Sequence, residues 1–347
     1  SLDLAVLMFA LLATASIISA DLRGVAFNEL RVMVVEPILF YGILRSLPLK
    51  NKELWRIVDF FILGATLVAA IGLVQYMLGV NLITAEGGVL RLRSVYGSPN
   101  NVGLYLGRAL PVAVAVTLLG GSLYRRLSYL GAIILMSAAL ALSFSRGALL
   151  LGVPAALALI ILFRGGKTAA AALIALLTGT TSVLLAFGNH PRLTSMLSHT
   201  TGPTFFRLNL WRSTLNMIKD HPFTGIGLDN FLYAYRGKYI APDAWQDPHL
   251  SHAHNWVLDF AARIGLPGLA AALWLLVAFF STAVRALRTL SDPGLRALAV
   301  GLMASMVDFL AHGMVDASYW FVDLAFAFML TVALAQRLVT SSKATPS

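Results

Sequence analysis

Long apolar stretches, about ten of them, leave this 347-residue chain few folds to choose from. They fall at roughly 4–20, 31–48, 56–79, 99–121, 127–144, 147–163, 168–188, 254–284, 296–313 and 318–336. A run of about 20 apolar residues satisfies its backbone polar groups as a helix and is long enough to cross a bilayer. Composition points the same way. Of the residues, 58% are hydrophobic and 12% charged, where a soluble domain carries about 25% charged. A chain so poor in polar side chains cannot cover a core with them, so the expected fold is an all-α, polytopic membrane helix bundle.

Loop charges set the expected orientation. If the spans alternate, one side of the membrane receives Arg45, Lys50, Lys52 and Arg56, then Arg125 and Arg126, then Arg164 and Lys167. The same side receives Arg285, Arg288 and Arg296, and finally Arg337 and Lys343. Basic loops stay in the cytoplasm. The net charge of +10 therefore reflects membrane topology rather than a nucleic-acid partner. The opposite side receives 21–30, 80–98, 145–146, 189–253 and 314–317. The chain then reads as N-terminal membrane helices (1–188), one large extracytoplasmic loop (189–253), C-terminal membrane helices (254–337) and a polar cytoplasmic tail (338–347). There is no cysteine, which excludes disulfides and thiolate-bound metal. The first residues are Ser1-Leu2-Asp3 with no cleavable signal pattern, as for a processed or trimmed start.

The large loop has its own pattern. Phe206, Leu210, Leu215 and Ile218 suit an amphipathic helix lying on the membrane, closed by His221-Pro222 and the Gly225/Gly227 pair. Arginines on this side run against the orientation rule and ask for a reason. They are Arg91, Arg93, Arg146, Arg207 and Arg212. Guanidinium forks bind phosphate oxygens two at a time, and the bland alternative is snorkelling to lipid phosphates. Arg146 stands in a tight turn, SFSRGA, between two apolar spans, where there is little loop to solvate it.

Three of the seven histidines, His249, His252 and His254, lie within six positions just before an apolar run. Metal ligation, proton transfer and helix capping are the readings open to such a trio. The i, i+2 spacing sends His252 and His254 to different helix faces, and no HExxH pattern accompanies them, which favours a proton-transfer or hydrogen-bonding role over a metal. Asp259 follows His254 by five residues and so does not stack beneath it. Glu36, with Pro37 and Arg31, is expected to pair inside the bundle, and Asp308 and His312 lie one helical turn apart with Asp316 beyond. Gly265-Leu266-Pro267-Gly268 breaks the span that follows His254, giving a short helix, a kink and a full crossing.

These motifs carry a resemblance. His254-Asn255, nine residues, then Gly265-xx-Gly268 resembles the HN…GxxG signature of the O-antigen ligase and O-antigen polymerase superfamily. The RxxxWR of Arg207 to Arg212, the HPFTGIGLDNF after it, GSPNNVGLYLGRALP at 97–111 and FSRGALL at 144–150 are similar to other family motifs, in the same order. Family members commonly carry further membrane helices ahead of the span at 4–20. The resemblance implies a GT-C-like glycosyltransferase of the bacterial cytoplasmic membrane with its active site facing outward. Its donor would be an undecaprenyl-diphosphate-linked glycan, and its acceptor a sugar hydroxyl on a lipid core (ligase) or on a growing chain (polymerase). No cofactor, no essential metal and no nucleic acid are implied, and membrane lipids surround it. Carried onto this sequence, the family's key histidine falls on His254 and its functional arginines on Arg146 and Arg207. Arg212, Arg91 and Arg93 are secondary diphosphate candidates, and His252, Asn255, Gly265 and Gly268 are supporting residues. A transporter of lipid-linked glycans is the rival from another class, and would place charges at mid-membrane depth and show symmetric repeats. A metal hydrolase built on the three histidines is a third reading, removed if activity survives a chelator.

Overall fold

The computed structural model describes residues 1–85, 88–186, 202–245 and 247–341. The described part of the chain is almost entirely helical. In chain order the helices are α1 Leu2–Ala15, α2 Arg23–Glu29, α3 Glu36–Ser46, α4 Asn51–Met77, α5 Pro99–Leu119, α6 Leu123–Ser143, α7 Val153–Arg164 and α8 Gly166–Ala186. After them come α9 Gly202–Asp220, α10 Phe231–Ala234, α11 Trp256–Thr289, α12 Pro293–His312 and α13 Val322–Ser341. Among the described residues, seven helices are long and apolar enough to cross a membrane: Leu2–Ser19, α4, α5, α6, α11, α12 and Val322–Thr340. The other expected spans, at 31–48, 147–163 and 168–188, are also helical where described. Residues 187–201, which include the start of the loop expected at 189–253, and residues 342–347 of the expected tail lie outside the described residues.

Two of the prolines inside helical stretches follow a π turn. Leu30–Val35 precedes Pro37, and Ala148–Gly152 precedes Pro154. A proline deprives the carbonyl four residues earlier of its donor. For Pro37 that carbonyl belongs to Met33, and the Tyr319 hydroxyl donates to it at 3.0 Å. The wider turn absorbs the misfit and the phenol supplies the missing bond.

The chain packs as two units, and their boundaries cut across the linear division. The first unit is Ser1–Ile43, His190–Ser281 and Gly313–Leu330. The second is Leu44–Asn189, Thr282–His312 and Thr331–Ser347.

In the second unit β1 Leu82–Thr84 pairs antiparallel with β2 Leu90–Leu92, Ile83 opposite Arg91. Arg91 in β2 and Arg93 just after it are both engaged. Arg91 donates to the Ser143 and Phe144 carbonyls at the end of α6 and to Asn100 at the start of α5. Arg93 donates to the carbonyl and side chain of Asn81. Asp308 of α12 is buried, and its carboxylate lies where a Cβ on Gly107 or Gly152 would stand. Those glycines set how closely α5 and the Ala148–Gly152 turn approach α12.

In the first unit residues of the 202–253 segment build a small core, Leu210, Met217, Ile226, Phe231, Tyr235 and Ala253, together with Ala262 of α11. Its helix α9 corrects the sequence reading. Leu210, Ser213, Thr214 and Met217 face inward, while Leu215 is exposed. Five residues of helix turn through about 500°, so Leu215 cannot share a face with Leu210. The pair Arg31–Glu36 also differs from expectation. The two approach to 3.7 Å but on an exposed face, and the buried acid of this region is Glu29.

The α11 break at Gly265 docks the HPFTGIG segment. With φ +74° and ψ 174° at Gly265, α11 stops being helical there and releases nearby backbone groups. Ile226 and Gly227 donate to the carbonyls of Ala262 and Arg263, and the Leu266 N–H is taken by the Pro222 carbonyl at 2.8 Å. Gly225, at φ +67°, passes so close that its Cβ would strike the Ala262 carbonyl. Gly265→Ala puts a methyl 2.3 Å from the Phe223 carbonyl oxygen at a left-handed residue. We expect it to cost at least about 2 kcal/mol. A thermal-unfolding series against Gly237→Ala, a glycine with open space around it, measures this. Equal midpoints for the two variants would contradict the docking role.

Candidate active site

The HN pair begins as a helix start. Asn255 is the N-cap of α11, its Oδ1 accepting from the Leu258 N–H at 3.1 Å. Its Nδ2 donates to the Met314 carbonyl, and the Trp256 N–H donates to Gly313. The cap therefore grips the turn that carries Asp316. Immediately before it, His254 has a left-handed backbone, φ +49°, which a side chain other than glycine or asparagine rarely adopts. Strain of this kind persists where surroundings over-determine it. Here Trp211 Nε1 of α9 holds the Ala253 carbonyl at 3.0 Å on one side, and Asn255 is fixed on the other.

So held, His254 Nδ1 meets Asp316 Oδ1 at 3.0 Å, with 23% of the histidine side chain and 6% of the aspartate side chain exposed. Asp316 Oδ1 also accepts from the Ala317 N–H. A carboxylate only accepts, so Nδ1 donates, and in a neutral imidazole of this tautomer Nε2 bears the lone pair. In the sequence Asp316 stands beyond the Asp308/His312 pair of α12, 62 residues from His254, and nothing local ties it to the histidines. The available signal is its position, an acid just past an apolar span on the same side as the histidines. Asp259, the nearer acid in sequence, is fully buried elsewhere and accepts from Ala253 N–H and Arg263.

Arg263 is a second residue the motifs did not single out. Its Nη1 lies 2.7 Å from both Glu29 oxygens, its Nε donates to Asp259 at 3.2 Å and its Nη2 to the Ser251 carbonyl at 2.8 Å. The guanidinium also lies over the Trp320 ring, 5.2 Å from its centroid. Glu29 in turn accepts from the Asp229 backbone N–H, and Asn230 accepts from that of Leu22. Through Ser251 and Ala253, this buried cluster fixes the backbone on the N-terminal side of His254.

His252 stacks edge-on to His254 with ring centroids 4.1 Å apart, and its Nδ1 is enclosed without a hydrogen-bond partner among the described residues. Burial, reinforced by His254, pushes His252 down to about 3. It is therefore neutral at ambient pH. Unfolded, it takes up a proton below about 6.5. Between those values the unfolded chain binds more protons, so stability is complete above about 6.5 and falls as pH falls. At pH 5 the wild type should lose about 1–2 kcal/mol more than His252→Gln does on going down from pH 7.5. Chemical unfolding of both at the two pH values tests this, and equal losses would exclude a neutral, buried His252. His252, His254 and Asp316 each present one ligand-type atom, all within 4.8 Å of one another, so a metal ion is geometrically conceivable there.

Arg207 belongs to the same unit. It is half-buried, makes no hydrogen bond or ion pair among the described residues, and burial lowers it from the usual arginine range while Asp316 opposes that shift. Arg212, five residues on, is exposed, and His249 carries none of the contacts that fix His252 and His254. Arg146, Arg91 and Arg93 lie in the second unit. Arg146 is half-buried at the start of the helical stretch after Phe144, itself at φ +47°.

No curated protein matches this chain. A family model described as O-antigen ligase matches residues 131–273. That range takes in the SRG turn, the α9 arginines, the docked HPFTGIG segment and the HN…GxxG element. Over these residues the chain is similar to the O-antigen ligase family, which supports the resemblance to the O-antigen ligase and polymerase superfamily.

Proposed function

We propose that this protein transfers a glycan from undecaprenyl diphosphate to an acceptor hydroxyl at the outer face of the bacterial cytoplasmic membrane. The observation that carries the proposal is the His254–Asp316 pair, held in a strained backbone in the same unit as the uncommitted Arg207. His254 Nε2 takes the proton of the acceptor hydroxyl as that oxygen forms its bond to the anomeric carbon. The bond from the anomeric carbon to the phosphate oxygen breaks, and its electron pair leaves on undecaprenyl diphosphate. Asp316 orients the imidazole and stabilises the imidazolium that forms. Arg207, with Arg212 in a secondary role, meets the charge that develops on the diphosphate; the sequence also offers Arg146 for the diphosphate, with Arg91 and Arg93 in secondary roles. The chemistry asks for no metal, so transfer should survive a strong chelator. Loss of activity on chelation, restored by one divalent ion, would favour the His252–His254–Asp316 metal reading instead.

Ligase and polymerase differ only in the acceptor. Purified protein incubated with a lipid-linked repeat unit, with and without lipid-core acceptor, separates them. Capping of the added acceptor supports the ligase, and chain growth without it supports the polymerase. Release of neither product would overturn the transferase reading. Within that assay, Arg207→Lys keeps the charge but loses the fork. We expect about a 10-fold to 100-fold fall in kcat/KM, the loss of roughly one bidentate phosphate interaction. Unchanged turnover would remove Arg207 from the diphosphate site.

A further inference from the structure

Away from these residues, the second unit contains a cavity of about 710 Å³ lined by ends of α5, α7, α8, α11 and α12. Its cationic lining residues are Arg164 and Arg296, its hydroxyls are Thr168 and Ser291, and no carboxylate lines it. Both guanidiniums are anchored by one nitrogen only. Arg296 Nη1 donates to the Leu287 and Leu290 carbonyls at the end of α11, and Arg164 Nη1 to the Leu118 carbonyl at the end of α5. The remaining N–H donors of both have no partner among the described residues. Arg125 differs, being closed off by a two-bond pair with Asp59.

The local fields favour an anion. The last carbonyls of α5, α7 and α11 bring roughly half a negative charge each, and the first N–H groups of α8 and α12 roughly half a positive charge each. Two full guanidinium charges outweigh that small negative remainder. Leu118, Leu119, Phe163, Leu287 and Val300 form an apolar wall beside the arginines. A cationic floor with free donors, next to an apolar wall at the ends of membrane-length helices, matches a phosphodiester headgroup joined to acyl chains. It does not match a free, fully hydrated anion. These are also the loops whose basic residues the sequence assigns to the cytoplasmic face, where anionic lipid attracts such clusters.

We propose that Arg164 and Arg296 hold the headgroup of an anionic phospholipid, with one acyl chain along the Leu119–Phe163–Val300 wall. The test is native mass spectrometry and thermal unfolding of the full-length protein with phosphatidylglycerol, with phosphatidylethanolamine, and with glycerol phosphate or inorganic phosphate. We expect one retained phosphatidylglycerol and a raised midpoint, neither given by the other additions. Both effects should be lost in Arg164→Gln/Arg296→Gln and weakened in Thr168→Phe, which adds bulk to the cavity lining and leaves both arginines in place. The second variant guards against misfolding caused by loss of the Arg296 contacts to α11. Equal retention of phosphatidylethanolamine, an equal shift with inorganic phosphate, or undiminished phosphatidylglycerol binding by a folded Thr168→Phe variant would each overturn the proposal.

Discussion

His254→Ala is expected to abolish glycan transfer, by at least about 10²-fold to 10⁴-fold, the usual contribution of a positioned general base. The protein should remain folded and in the membrane. The side chain is not part of the buried core, and it hydrogen-bonds to Asp316 near the surface. Removal also relieves little of the backbone strain, because alanine at φ +49° is no better placed than histidine. His254→Gly, which is at ease at that angle, should be more stable than His254→Ala and equally inactive. That ordering separates the backbone cost from the chemical loss. Transfer by either variant at the wild-type rate would end the base assignment.

Arg263→Ala carries the largest expected effect on stability. It leaves Glu29 and Asp259 as buried carboxylates with their shared cation gone, and also frees the Ser251 carbonyl. Breaking a buried ion pair from one side costs about 3–5 kcal/mol, because the abandoned charge stays desolvated. Neutralising the orphans should recover much of that loss, so Glu29→Gln and Asp259→Asn in the Arg263→Ala background should be more stable than Arg263→Ala alone. A midpoint unchanged by Arg263→Ala would show that the cluster does not hold this unit together. The same variant should depress transfer beyond its folded fraction, since the His254 backbone is tied to Arg263 through Ser251 and to Asp259 through Ala253.

What the sequence made legible follows from how local each signal is. Apolar runs, the Asn255 cap and the Gly265 break are written within a few residues, and the structure shows the helices, the cap and the break. Asp316 was not legible as the partner of His254 because 62 residues separate them, and it is the grip of Asn255 and Trp256 on Met314 and Gly313 that brings the two turns together. Glu29 and Arg263 are 234 residues apart, and no spacing rule connects them. Periodicity misled at Leu215, where an apolar residue falls on the exposed side of α9. Charge misled at Glu36, which lies on an exposed face. The division into two units was hidden for the same reason, since each gathers segments from the beginning, middle and end of the chain.

His254, oriented by Asp316, removes the acceptor proton, and chemical rescue reads that role most directly. The measurement is single-turnover transfer by chelator-treated, reconstituted protein, comparing the wild type with His254→Gly and Asp316→Asn in the presence and absence of added imidazole. Imidazole should restore transfer to His254→Gly in proportion to its concentration and leave the wild type unchanged, while Asp316→Asn should stay slow in both conditions. Transfer by His254→Gly at the wild-type rate without imidazole, or no restoration by imidazole in the folded variant, would show that His254 is not the base.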